Sequence, residues 1–491
     1  MHFHEMWRDE FQAWLVASSS KDLPELFSNI KYEGHPIGWF FILFLVSKVT
    51  ALPTVIQIVH LSVAVFSVYL VFRFSPFSFA EKILIASGYF FFYEYCIVSR
   101  NYAISIPLII FICILLQRNQ MKGWLIGILL FLLCQTNLYG GLIAGIISFY
   151  LLLKGYENKT NKKLLSQIAV AVLLCGAGLV LLYVQVKPAS LMNYNDYYSW
   201  KGGFDLERII DTGAEFFDVY FPVPSLEVKS SFGKNLFAGF PVFQFVIFIF
   251  VFVMIAWNLR KDKSLFLMYV CGTLGLLLVL YFNLHTSLRH QGFLFILFII
   301  TFWLAQRTSG NAKAGSVSPG KKIFMTIIIV QCASGIIAIA KDVLYPFSNI
   351  EAAGRYAVKQ DYGQVAVGGM ADYIVSPISA YTRKPIYMPE TGKEQMFIVW
   401  NDERKESDST LIILLKWADS VLMKGEKKAV LVLGQSLKND DLTLITNGLI
   451  NDSTQITLMK RFDKPCIVDD ENYYFYEITR YASLPGSPGN N

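Results

Sequence analysis

The chain has 491 residues, of which 54% are hydrophobic, 15% aromatic and only 16% charged, with a formal net charge of +6. Soluble domains run near 25% charged residues, so this depletion excludes a chain built only of water-facing folds. The positive balance does not point to nucleic acid, because the basic residues sit mainly in short loops between apolar blocks, where positive charge sets membrane orientation.

The first predicted element is a helix over 7–15, Trp7-Arg8-Asp9-Glu10-Phe11-Gln12-Ala13-Trp14-Leu15. At ~100° per residue Trp7, Phe11, Trp14 and Leu15 share one stripe, as in a helix lying in a membrane interface. Asp9 then points almost opposite the stripe, toward water or a cavity, with Glu10 on the flank. A carboxylate beside a membrane surface suits a general base acting on a lipid-linked substrate; an interfacial helix with ordinary solvated acids has the same pattern. Met1–Arg8 is polar, so no cleavable signal peptide is expected. At Glu33-Gly34-His35-Pro36 the chain turns from loop into apolar sequence. Pro36 is accounted for by the preference for proline at a helix start, whereas His35 is not needed by a neutral turn.

Apolar segments follow at 36–51, 53–72, 82–98, 101–116, 122–136, 138–153 and 164–186, then at 240–257, 264–283, 292–306 and 322–341. Backbone in lipid must satisfy its own hydrogen bonds, so these are predicted helices, and the longer ones approach the ~20 residues that cross hydrocarbon. His60 lies inside such a segment and reads as a core histidine. Glu94, Arg100, Asn101 and Tyr102 interrupt two segments. Ionisable groups at membrane depth are costly and face a cavity or a partner. Glu94 and Arg100 either neutralise one another, or Arg100 holds a phosphate while Glu94 orients a hydroxyl. His285, Arg289 and His290 lie between two later segments, and arginine is suited to bidentate phosphate recognition. The cysteines lie mostly within apolar blocks and form neither a disulfide framework nor a metal-ligand spacing.

The basic loops Lys154–Lys163, Arg260–Lys263 and Arg307–Lys322 are separated by even numbers of crossings and are placed in the cytoplasm. The loop 187–239, the Arg289-His290 pair and residues 345–491 then fall together on the far side. If every upstream segment crossed, residues 1–35 would be cytoplasmic; for them to share a site with Arg289, one segment must fail to span, and 36–51 is the best candidate. The tail 345–491 changes texture. Gln364–Gly368, Met396–Trp400 and Ala429–Gly434 read as buried strands, with helical periodicity in Ala371–Arg383 and Ser409–Lys424. The expected fold is therefore an α-helical polytopic membrane protein with about 10–11 transmembrane segments. It comprises a segment 1–35, a transmembrane domain 36–341 with the loop 187–239, and a soluble α/β domain 345–491.

Taken together, Asp9-Glu10, Gly34-His35-Pro36, Glu94 with Ser99-Arg100-Asn101-Tyr102, and Arg289-His290-Gln291-Gly292-Phe293 resemble the C-type glycosyltransferase (GT-C) superfamily. The likeness is to bacterial relatives of the protein O-mannosyltransferases and the aminoarabinose transferase, over about residues 5–340. The resemblance implies transfer of a sugar from a polyprenyl-phosphate donor to a lipid, glycan or protein acceptor on the non-cytoplasmic face of the inner membrane. It implies direct displacement with inversion. Asp9 would be the catalytic carboxylate with Glu10 beside it and Glu94 a second acid near the acceptor. Arg100, Tyr102, Arg289 and His290 would bind the donor phosphate, with His35 in a structural or substrate role. The resemblance fixes no cofactor and is compatible with a divalent cation. Family members usually carry a transmembrane helix before the Asp-Glu pair, and the second proline often seen after His-Pro is Ile37 here. A transporter or flippase would also place charges in spanning segments, but predicts inverted repeats, and no internal repeat is found; a non-catalytic scaffold for cell-surface polysaccharide assembly is the remaining alternative.

Overall fold

The computed structural model describes residues 4–118, 121–187, 203–229, 231–282, 287–308, 319–405, 410–438, 454–468 and 470–480. It is mostly helical. Seven helices among these residues are long and apolar enough to cross a membrane: Val55–Phe74, Leu138–Glu157, Lys162–Val186, Pro241–Leu259, Lys263–Phe282, Leu288–Gln306 and Pro319–Leu344. Their lipid-type residues split by face. Ile58, Val65 and Tyr69 are exposed on the first of them while Ile56, Ala64 and Leu70 are buried, so one side packs against neighbours and the other is left for hydrocarbon. Leu288–Gln306 is the most enclosed, with 83% of its apolar window buried. Its Phe295, Phe298 and Phe302 stack against Phe90 and Phe324.

The other apolar segments are shorter helices. Ser105–Leu116 and Gly123–Cys134 have 12 residues each, and Phe79–Ala86 continues into a wide π-helical turn, Tyr89–Glu94. The segment 36–51 holds only Gly38–Ser47, 10 residues, or about 15 Å of helix, half the thickness of the hydrocarbon core. Its start is tied to the bundle, where the Gly38 N–H donates to the Gln135 carbonyl at 2.9 Å, and its far end to the N-terminal segment. Its body packs on the first helix, and Lys48 beyond its end donates to the carbonyls of Ser20 and Lys21 at 2.8 and 3.2 Å.

That first helix is Arg8–Ser19, and its apolar stripe does not lie in a membrane interface as expected. Phe11, Trp14 and Leu15 are 0%, 2% and 1% exposed. They pack in one core with Trp39, Phe40 and Leu43 of the short helix and with Ile374, Ile378 and Met388 of the tail. The helix is in fact buried without a break from Glu10 to Ala17, so the stripe is not set apart as its one covered face; periodicity alone does not distinguish lipid from protein as the apolar partner.

The tail carries a six-stranded mixed sheet of β1 (Ala366–Met370), β2 (Ile386–Met388), β3 (Lys393–Gln395), β4 (Lys428–Leu433), β5 (Thr454–Phe462) and β6 (Tyr473–Arg480), in the order β3-β2-β1-β4-β6-β5. β1 runs parallel to β2 and β4, and the remaining pairs are antiparallel. Strand β4 and helix Thr410–Met423 match the predicted segments. Met396–Trp400 is not a strand. Its Ile398 backbone instead bonds the Gln12 side chain in both directions, at 2.9 and 3.2 Å, which satisfies the same polar groups without a ladder. The predicted helix 371–383 is two short helices, Asp372–Val375 and Pro377–Thr382, because Pro377 has no N–H to continue the first.

The tail sits directly on the N-terminal segment and on the chain before Pro241. Phe11 meets Tyr381, Arg8 lies over the Tyr373 ring, and the Ser231 and Phe232 N–H groups donate to the Ile467 carbonyl at 3.0 and 3.1 Å. The N-terminal helix is thereby enclosed between the bundle and the sheet domain, and the candidate site lies at that junction.

Candidate functional site

Asp9 stands in the first turn of its helix, where the unpaired N–H groups and the helix dipole favour a negative charge. Its Oδ2 receives Arg100 Nη1 at 2.9 Å and Arg289 Nη2 at 3.1 Å. The three residues are separated by 91 and 189 positions in the chain, yet converge on one oxygen. Burial by itself would raise the Asp9 carboxyl, but Arg100, Arg289 and Arg8 outweigh it and hold it below the usual carboxylate range. The Asp9 side chain remains 29% exposed and the Arg100 and Arg289 side chains 14% and 13%, so the cluster is sunk but open.

Each arginine is placed by its neighbours. Ser99, just before Arg100, is fixed by its N–H to Glu10 Oε1 at 2.7 Å. Arg289 lies in the short helix Leu288–Gln291, its carbonyl accepts Tyr95 Oη–H at 2.8 Å, and its guanidinium lies 5.0 Å from the Trp7 ring centroid. Close approach there requires Gly292, where a Cβ would fall 2.3 Å from Phe90 and 2.5 Å from the Tyr95 hydroxyl.

Donors outnumber acceptors around Asp9. Trp7 Nε1, Arg8 Nη1 and Arg289 Nε and Nη1 are buried without a hydrogen-bond partner among the described residues, and both guanidinium groups lie over the same Trp7 ring. A buried N–H left unpaired costs ~1–3 kcal/mol. A multi-oxygen anion would satisfy such a set at once.

The other predicted residues divide. Tyr102 and His290 do come together, with Oη and Nε2 at 2.7 Å and the His290 ring stacked 5.0 Å from Tyr139. His35 is near enough that Arg100 and Arg289, after burial itself, push its imidazole down to about 3 and keep it neutral. Glu94 does not pair with Arg100; it is 3% exposed and accepts the Tyr89 hydroxyl at 3.1 Å. Glu10 is not a flanking surface acid. It is 0% exposed and its oxygens are taken by the Ser99 and Trp7 N–H groups and by His4. His60 is buried, with Nδ1 on the Cys96 carbonyl at 3.1 Å, as a core histidine should be. His285 lies outside the described residues.

Sequence reasoning missed His4, Trp7 as a platform for Arg289, and Glu33. The Glu33 carboxyl accepts Gln12 Nε2 at 2.7 Å and is pushed up to about 7, by burial first. The capping pattern around Glu10 was the one available signal: an acid at the third helical position reaches back to the N-cap N–H. Asp9 is already matched by two guanidinium groups, and no group of three His, Cys, Asp or Glu side chains gathers as metal ligands among the described residues. Comparison with protein-family models, with curated proteins and with solved structures finds no match for this chain.

Proposed function

We propose that the protein is a polytopic membrane glycosyltransferase that moves a sugar from a polyprenyl-phosphate donor to a hydroxyl-bearing acceptor. The observation that carries this reading is a partly exposed carboxylate held by two arginines, beside buried donors that lack acceptors, at one end of an apolar bundle. The donor phosphate would take over Arg100 and Arg289 as a bidentate partner better suited to their planar forks than one carboxylate oxygen. Asp9, released from them, becomes more basic. It accepts the proton of the acceptor hydroxyl as that oxygen attacks the anomeric carbon, while the bond from that carbon to the phosphate oxygen breaks and the electron pair leaves on phosphate. The arginines stabilise the charge that grows there, and the anomeric configuration inverts. Tyr102 and His290 would orient the donor beside the arginines, whereas Glu94, buried on the Tyr89 hydroxyl, takes no part in the step.

The same reading places the site on the non-cytoplasmic side. Seven helices from Val55 to Leu344 are long enough to cross. With the shorter segments 82–98, 101–116 and 122–136 counted as crossings too, and Gly38–Ser47 not, the number is even. On this reading residues 1–35 and the tail share one face, opposite the basic loops.

The test is purified protein with a panel of radiolabelled polyprenyl-phosphate sugars and hydroxyl acceptors. Labelled product that disappears in Asp9→Asn supports the reading. Donor binding without product favours a lipid transporter, and neither binding nor product favours a scaffold.

A further inference from the structure

Glu10 and His4 take no part in that step, yet they are among the most completely buried ionisable groups of the N-terminal segment. His4 Nδ1 meets Asp342 Oδ2 at 2.8 Å, at the end of the Pro319–Leu344 helix, and its Nε2 faces Glu10 Oε2 at 3.4 Å. Its ring lies 4.4 Å from Phe347, and its carbonyl accepts Gln57 Nε2 at 3.0 Å, at the start of the Val55–Phe74 helix. One imidazole therefore stands between two buried carboxylates and ties the chain start to the first and last long helices. Burial would lower the His4 ring, but Asp342 and Glu10 outweigh it and push it up to about 10, so both nitrogens carry protons and donate.

The geometry at the other end of Glu10 gives this chain a consequence. Asp9 and Glu10 are consecutive on one helical turn, and Ser99 and Arg100 are consecutive on the facing turn. Glu10 holds the Ser99 N–H at 2.7 Å while Asp9 holds Arg100 at 2.9 Å, two parallel ties one residue apart. We propose that the His4–Glu10–Asp342 chain is a positioning device that sets the register of Arg100 against Asp9, a role that rests on the transferase reading above. A buried carboxylate needs a charged partner to stay ionised, and an ionised acceptor binds an N–H about twice as strongly as a neutral one. Without His4, Glu10 takes up a proton, its grip on Ser99 slackens, and Arg100 loses its fixed distance to Asp9. Misplacement by ~1 Å at such a site costs on the order of a hundredfold in rate.

The experiment uses the full-length protein in detergent, as His4→Gln and as His4→Gln combined with Asp342→Asn, which removes the surplus buried negative charge. Thermal unfolding, hydrogen exchange at the Ser99 amide, and kcat and KM for the donor per folded molecule are measured on each. His4→Gln alone should unfold at lower temperature and the double variant should recover most of that loss. In both, Ser99 should exchange at least ~10-fold faster and kcat/KM should fall ~10- to 100-fold. Restored unfolding temperature with wild-type kcat/KM in the double variant would reduce the chain to a structural tie and overturn the proposal, as would unchanged Ser99 exchange in both variants. A wild-type protein that transfers no sugar sinks the transferase reading alone. The positioning role then stands or falls on Ser99 exchange together with the affinity for a short-chain polyprenyl-phosphate analogue.

Discussion

At the scale of single residues, Asp9 serves two roles that different measurements separate. It is a counter-ion for Arg100 and Arg289 and, on the proposed reading, would be the base once a donor phosphate has displaced it. Asp9→Asn should therefore lower turnover at least ~100-fold, within the usual range for a general base, while leaving the affinity for a polyprenyl-phosphate analogue equal or tighter, because the neutral amide competes less for the arginines. Turnover near wild type would dismiss the base, and weakened binding would dismiss the competition. Arg289→Ala removes the guanidinium with two unpartnered N–H groups. A charge-assisted hydrogen bond contributes ~1.5–3 kcal/mol, so donor affinity should drop by about ten- to over a hundredfold, with Arg289→Lys recovering only part. Titration in detergent measures both, and an unchanged dissociation constant for the alanine variant would end the phosphate role. Glu33 makes a prediction of a different kind. Its folded value of about 7 lies above the ordinary value near 4.5, so the folded state keeps a proton that the unfolded chain releases between those limits, and stability falls as pH rises through that window. Glu33→Gln keeps an acceptor for Gln12 and removes this loss. Its unfolding temperature relative to wild type should be higher at pH 8 than at pH 5, and an equal difference at both would contradict the assignment.

At the scale of elements, what matters is how the short apolar helix Gly38–Ser47 is seated. Its first N–H donates to the Gln135 carbonyl at 2.9 Å, and a Cβ on Gly38 would meet that oxygen at 2.3 Å. The clash is with backbone, which cannot rotate away. Gly38→Ala should therefore destabilise by ~1–3 kcal/mol, as overpacking does. Because His35 lies three residues upstream, the same change should raise the donor KM. Equal unfolding temperatures for the two proteins would show that the contact gives way cheaply. The sequence already marked this block as the best candidate not to cross, without showing where its helix ends. Its block is 16 residues from 36 to 51, and only the folded chain shows that Lys48 turns back to Ser20 and Lys21 and ends it. The wide turn Tyr89–Glu94 was equally invisible, since a π-helical turn has no composition of its own and is selected by packing against the Pro319–Leu344 helix, where Gly335 lets the Ser87 carbonyl approach.

At the scale of the whole molecule, the N-terminal segment is covered by the tail. Arg8 N–H donates to Glu471 at 3.1 Å, Ser348 donates to the same carboxylate, and Gln12 holds Ile398. This enclosure requires both to lie on one side of the membrane. Single cysteines at Gly392 and Ser316, on a cysteine-free background, should therefore respond oppositely to an impermeant thiol reagent in intact cells, with Gly392 labelled and Ser316 protected. The reverse pattern would invert the topology, and labelling of both would break the link between the basic loops and orientation.

Composition and periodicity by themselves determined the membrane-type helices, the existence of the first helix, the position of β4 and the separate texture of the tail, because each depends on residues close together in the chain. They also singled out Asp9, Arg100, Tyr102, Arg289 and His290, since charged and polar groups stand out against apolar sequence. Tertiary structure alone decided that Asp9 and both arginines meet on one oxygen, that Glu10 is a buried tie instead of a second surface acid, and that the Trp7–Leu15 stripe faces protein. Contacts such as His4 with Asp342, 338 positions apart, leave no local trace. They exist because a buried charge must find a partner wherever the fold brings one, and which partner that is depends on how the helices and the sheet domain close on one another.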